Sequence, residues 1–144
     1  MRIATSTELQ GAKIAIIHAA SVLVYLRDDL PHIPNPNQWD LPGGVREDGE
    51  TALACALRET CEEFGLRLPS ANIRHEAIYT AAPAGNLPQR EVAFFVIDVS
   101  AKTIKDIKFG EEGQRWQMMP IDAFLTHANA VPELQTALRA YWMG

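Results

Sequence analysis

Basic clusters, long apolar runs and cysteine are what this sequence has least of. Its 13 Lys and Arg stand against 18 Asp and Glu, a formal net charge of -5, and the cations are scattered along the chain. A surface that grips a nucleic acid polymer neutralises several phosphates with clustered Lys and Arg, so that class of partner is excluded. An acidic chain can still handle a polyphosphate if a divalent cation stands between its carboxylates and the phosphate oxygens, because the ion inverts the local electrostatics. The longest apolar run, residues 14–26, is too short for a membrane span and contains His18. Residues 1–11 hold no apolar core of the export-signal type, so a cytoplasmic location without a membrane partner is expected. The two cysteines, Cys55 and Cys61, fall on different sides of a helical segment, where no disulfide joins them; they read as reduced packing thiols.

What is present is enough for one sizeable core: 47% of the 144 residues are apolar. With no repeat, linker or low-complexity segment, residues 1–144 are expected to form a single domain. Residues 13–25, dominated by Ile, Val, Leu and Ala, predict one long buried strand or two short ones. Three prolines and two asparagines mark residues 30–37 as an exposed loop. Residues 38–42 read as a short extended segment running into the Gly43-Gly44 turn. Strands are expected over 73–80, 91–99 and 115–119, and helices over 121–127 and 132–143, the last with a Leu134, Leu138, Trp142 stripe. Strands and helices in this order point to a mixed sheet with helices on its faces, in the α/β class.

The strongest helix signal covers residues 51–64, stopped by Gly65. At about 100° per residue, Leu53, Ala54, Leu57, Cys61 and Phe64 fall on one side and Glu59, Glu62 and Glu63 on the other. Three carboxylates at i, i+3 and i+4 repel one another by a few tenths of a kcal/mol per pair, so something should compensate. Arg58 offsets part of this, with Glu62 at i+4 as a partner. A solvated acidic face is the bland explanation, but such faces are interleaved with long side chains. Here Ala52, Cys55 and Ala56 flank the acids, and small residues leave room for a ligand. Hard oxygen donors converging in this way suit Mg²⁺ or Mn²⁺.

From Gly44 the chain runs five residues to Glu50, seven more to Arg58-Glu59, then Thr60, Glu62-Glu63 and Gly65-Leu66. This pattern resembles the full Nudix box. Seven identities at about 7% usage each would coincide about once in 10⁸ registers, so the signal is specific where a lone Glu-Glu would not be. Thr60 departs from the aliphatic residue more usual there. The resemblance implies a Nudix-type α/β/α sandwich and metal-dependent hydrolysis of a nucleoside diphosphate linked to another moiety. It also implies Glu59, Glu62 and Glu63 as metal-binding carboxylates, the Gly44 carbonyl as a further ligand, and Arg58 as the residue that orients the acids. Glu50 is left open between function and helix-dipole support.

Mutator-type members supply another glutamate just before Gly-Gln. Glu112-Gly113-Gln114 matches that pattern, with Glu111 as the adjacent alternative. The general base is left open among Glu62, Glu63 and Glu112. Trp39-Asp40-Leu41-Pro42 at the entry to the box agrees with the same subgroup, making a nucleoside triphosphate, including one with an oxidised base, the first-choice substrate. Pro83, 17 residues beyond Leu66, keeps an ADP-ribose or nucleotide-sugar reading open. Arg27 and Arg90 are candidates for holding phosphate or base, and Trp39, Phe94 or Trp116 for stacking. The small-molecule nucleotide is the expected partner, and the resemblance leaves a homodimer open. A non-catalytic nucleotide-binding module would be expected to lose box carboxylates, and none is lost.

Overall fold

The computed structural model describes residues 9–144, so the export-signal expectation falls mainly on positions outside the described residues. The apolar run divides into two strands, β1 (Gly11–His18) and β2 (Ser21–Leu26). They form a hairpin around Ala19-Ala20, with Ile17 opposite Val22 and His18 opposite Ser21. Both loop residues have positive φ, 48° and 63°, as a two-residue type I′ turn requires. Alanine carries a Cβ penalty there that glycine lacks. Ala20→Gly is therefore expected to stabilise the protein by about 1 kcal/mol, raising Tm by about 3 °C in a calorimetric melt.

Beyond the hairpin the two strands splay apart. β1 takes β4 (Gly43–Val45) antiparallel on one side and β6 (Arg90–Asp98) parallel on the other. β2 takes β7 (Arg115–Pro120) along its length and β3 (Trp39–Asp40) at its far end. β5 (Ile73–Ala81) closes the outer edge against β6, completing a mixed sheet of seven strands. The segment from β3 to β4 thus enters the split between β1 and β2, and it carries the two glycines to the middle of the sheet.

Strand alternation divides the core in two. Ala12, Ile14 and Ile16 of β1 join Ala93, Phe95 and Ile97 of β6 beneath α1 (Ala52–Phe64). Ala15 and Ile17, with Phe94 and Val96, face α3 (Ile121–Thr126) and α4 (Pro132–Trp142). Helices on both faces make the α/β/α sandwich. A short helix, α2 (Ala101–Lys105), was not expected; Ser100 opens it by accepting from the Thr103 N–H at 3.3 Å. In α4, Leu134 and Leu138 are buried, but Trp142 is exposed, so the docked stripe ends a turn early. Among the described residues no helix is long and apolar enough to cross a membrane.

α1 is turned from the orientation its projection suggests. Cys55, Ala56 and Thr60 are fully buried, whereas of the projected apolar face only Phe64 is; Leu53, Leu57 and Cys61 are half-buried and Ala54 is exposed. The small residues therefore do not open a ligand shelf. They form the contact face with β1 and β4, where Cys55 Sγ lies 3.5 Å from the Gly44 carbonyl oxygen. Leucines on that face would hold the helix farther off and lift its glutamates away from the glycine turn. Thr60 is tolerated there because its hydroxyl donates to the Ala56 carbonyl at 2.8 Å.

Candidate active site

The helix that carries the acids is fixed at its start by Thr51, whose side chain accepts from the Ala54 N–H at 3.1 Å. At its other end Glu63 is only 9% exposed, and its Oε1 accepts from the Gly43 N–H at 3.0 Å. Gly43 has φ 139°, and a Cβ there would fall 2.0 Å from the Ala12 carbonyl oxygen. Only glycine can present this amide to Glu63. Gly44 is needed for a different reason: a Cβ on it would fall 2.7 Å from Glu59 Cδ, in the space the Glu59 carboxylate occupies. The two glycines therefore set the positions of two different acids.

Arg58 supplies the compensation that three adjacent carboxylates require. It donates to both oxygens of Glu50, at 2.7 and 3.1 Å, to Glu59 at 3.0 Å and to Glu62 at 3.3 Å. A further N–H reaches the Val45 carbonyl at 3.2 Å, tying the helix to β4. Glu50 is turned toward this guanidinium and also accepts from the Glu47 N–H at 3.0 Å. It does not line the cavity described below. Its place is to hold Arg58, and the hydrogen bond from Arg58 keeps its carboxyl below the usual range.

Glu59, Glu62 and Glu63 line a cavity of about 700 Å³, together with Glu111 and Glu112 from the loop before β7. That loop docks on the end of α1, where the Gly110 N–H donates to the Glu63 carbonyl at 2.8 Å. Both loop acids reach the same cavity, so the alternative between them stays open. Burial raises Glu59, with Arg58 opposing, and pushes Glu63 up to about 8, with Lys13 and the Gly43 N–H opposing.

Arg27 and Arg90 also line this cavity. Arg90 donates to the Pro88 carbonyl at 3.1 Å. Trp39 does not reach it. Its ring is 5% exposed in the core against α3 and α4, with the Arg115 guanidinium 5.5 Å from its centre. The reason is strand alternation: Asp40 points toward the cavity side, so its neighbour points away. Phe94, Trp116 and Pro83 likewise lie off the cavity.

Lys13, Tyr25 and Tyr79 also line the cavity, and Asp40 accepts from the first two; sequence reasoning assigned none of the four a place in the site. Asp40 is 3% exposed, yet Lys13 Nζ and Arg27 Nη1 each donate to its Oδ2 at 3.0 Å. Burial alone would raise the Asp40 carboxyl, but Lys13 and Arg27 outweigh it and hold it below the usual range. The available signal was a lysine inside the apolar run of β1 and an acid between Trp39 and Leu41, each out of place in a buried strand.

Among the described residues, no three His, Cys, Asp or Glu side chains enclose an ion as placed. Arg58 holds Glu59 and Glu62 to itself. The donor set nonetheless fits a hard divalent cation: several carboxylates share one cavity beside the Gly44 backbone, whose missing side chain leaves the cradle for Glu59. Glu63 adds an oxygen, Oε2, that makes no hydrogen bond among the described residues.

The family model described as NUDIX domain matches residues 10–141. The chain belongs to the Nudix family of pyrophosphohydrolases. Its fold is similar to the MutT protein from Methanosarcina mazei Go1, at TM-score 0.68 and 20% identity over 91% of this chain and 90% of that one. It is also similar to the E. coli dihydroneopterin triphosphate pyrophosphohydrolase, at TM-score 0.67 and 17% identity, covering 94% and 97%. The NUDIX domain of Shewanella oneidensis NrtR complexed with ADP ribose gives TM-score 0.69 and 17% identity, covering 93% and 86%. At these identities the likeness is one of fold.

Proposed function

We propose that this protein hydrolyses a nucleoside triphosphate, including one with an oxidised base, to the monophosphate and pyrophosphate. The observation that carries the reading is the convergence of the α1 glutamates and of Glu111 and Glu112 on one cavity that also holds Arg27 and Arg90. Glu59, Glu62 and Glu63, with the Gly44 carbonyl and Glu112, would hold Mg²⁺, or Mn²⁺ in its place. A cation so held withdraws charge from the phosphorus under attack and makes a water more acidic. Arg58 keeps the glutamates apart and aimed, Gly43 fixes Glu63 through its amide, and Arg27 and Arg90 supply positive charge for phosphate oxygens.

A second reading, cleavage of ADP-ribose or a nucleotide sugar, rests on a neighbouring cavity of about 620 Å³ that shares Gln10, Val45, Leu87 and Arg90 with the first. It offers room for a second moiety beyond the phosphates. The structural relative that holds ADP ribose supports the same reading. The test is kcat/KM with Mg²⁺ across canonical and oxidised nucleoside triphosphates, ADP-ribose and nucleotide sugars. A preference of about tenfold or more for a triphosphate is expected. A preference of that size for ADP-ribose would replace the first reading by the second. Binding without turnover of any compound would mark a nucleotide-binding module instead.

A further inference from the structure

Asp40 is a single buried carboxylate that binds two cations, and both of them line the cavity. Lys13 Nζ donates to Asp40 Oδ2 and to the Leu41 carbonyl at 3.1 Å. Arg27 donates through Nε to the Pro34 carbonyl at 2.8 Å and through Nη1 to Asp40 and to the Tyr25 hydroxyl. An ammonium has three N–H donors and a guanidinium five. The contacts among the described residues therefore leave one N–H of Lys13 and both N–H groups of Arg27 Nη2 without a partner. One negative charge against two positive ones leaves this group with a surplus, which Glu59 and Glu63 on the same cavity partly offset at Lys13. Unused donors and surplus charge on the wall of a cavity, held by a buried anion, make an anion subsite ready before the ligand arrives.

We propose that Asp40 is a positioning residue that holds Lys13 and Arg27 as a subsite for a phosphoryl group of the nucleotide, separate from the glutamates of α1. The proposal rests on the hydrolase reading for its place in the reaction, but binding of an anion by this group does not depend on which nucleotide is turned over. A purely structural role, stitching β3 to β1 and β2, would leave ligand affinity alone. The two roles therefore differ in what they do to KM.

The probe is inorganic pyrophosphate, titrated calorimetrically into the protein in EDTA. Wild type is expected to bind it, and Asp40→Asn to bind about tenfold more weakly, because the cations lose their charged anchor. With Mg²⁺ and the preferred nucleotide, Asp40→Asn is expected to raise KM about tenfold and lower kcat far less. Asp40→Asn leaves two half-buried cations short of a counter-charge, so it can fail to fold. Lys13→Gln and Arg27→Gln then carry the test, each expected to weaken pyrophosphate by about tenfold. Folded variants that keep wild-type pyrophosphate affinity and KM would overturn the proposal. Wild type that binds pyrophosphate through these residues but hydrolyses no nucleotide would sustain the subsite and overturn the hydrolase reading alone.

Discussion

Glu63→Gln is expected to lower turnover by about three orders of magnitude and, in the absence of metal, to make the protein more stable. The substitution removes charge but hardly alters shape, and the amide oxygen can still accept from the Gly43 N–H. Stability rises because the wild-type carboxyl is buried, which pushes it from the usual 4.5 to about 8. The folded state then holds a proton that the unfolded state releases, so stability present below the lower value is lost as pH rises through the higher one. In EDTA at pH about 8.5 the variant should melt above wild type, and at pH about 4 the two should coincide. Mg²⁺ should raise the wild-type Tm at the higher pH, since a cation supplies the missing counter-charge, and should raise the variant's much less. Calorimetric melts read all of this. Equal melting of both proteins at both pH values, with no response to Mg²⁺, would contradict the placement of Glu63.

The adjacent glycines are expected to fail in opposite ways. Gly44→Ala places a Cβ 2.7 Å from Glu59 Cδ, the far end of a flexible side chain that can swing aside. The fold should survive with Tm lowered by about 2 °C or less, while kcat falls about 100-fold because Glu59 is displaced. Gly43→Ala places its Cβ 2.0 Å from the Ala12 carbonyl oxygen, which belongs to the sheet and cannot yield. That variant should lose about 3 kcal/mol or more, melting roughly 10 °C lower or not folding at all. Thermal melts beside kcat measurements separate the two. A Gly44→Ala enzyme with wild-type kcat would show that the Glu59 position does not matter to the reaction.

Local signals were legible in the sequence because they depend on neighbours in the chain. Thr51 and Gly65 bounded α1, the prolines of 30–37 marked a loop, and the β1 and β6 strands showed in their apolar runs. The box spacing placed the acids within one helical turn. What stayed hidden depends on contacts across the fold. Lys13 and Asp40 are 27 positions apart, and nothing in either segment announces the other. The same holds for the roll of α1. Helical projection fixes which residues share a face, but the strands beneath select the small face of Cys55 and Ala56 over the larger face of Leu53 and Leu57. Trp39 was misread because a two-residue strand gives no alternation pattern from which to tell its inward face from its cavity face.

The central claim is that carboxylates on α1 use a divalent cation to break a phosphoanhydride bond. Phosphorus NMR of the wild-type protein with the preferred nucleoside triphosphate and Mg²⁺, followed by EDTA, tests it most directly. The account predicts pyrophosphate and nucleoside monophosphate accumulating together until EDTA stops both. Turnover that continues in EDTA would contradict it.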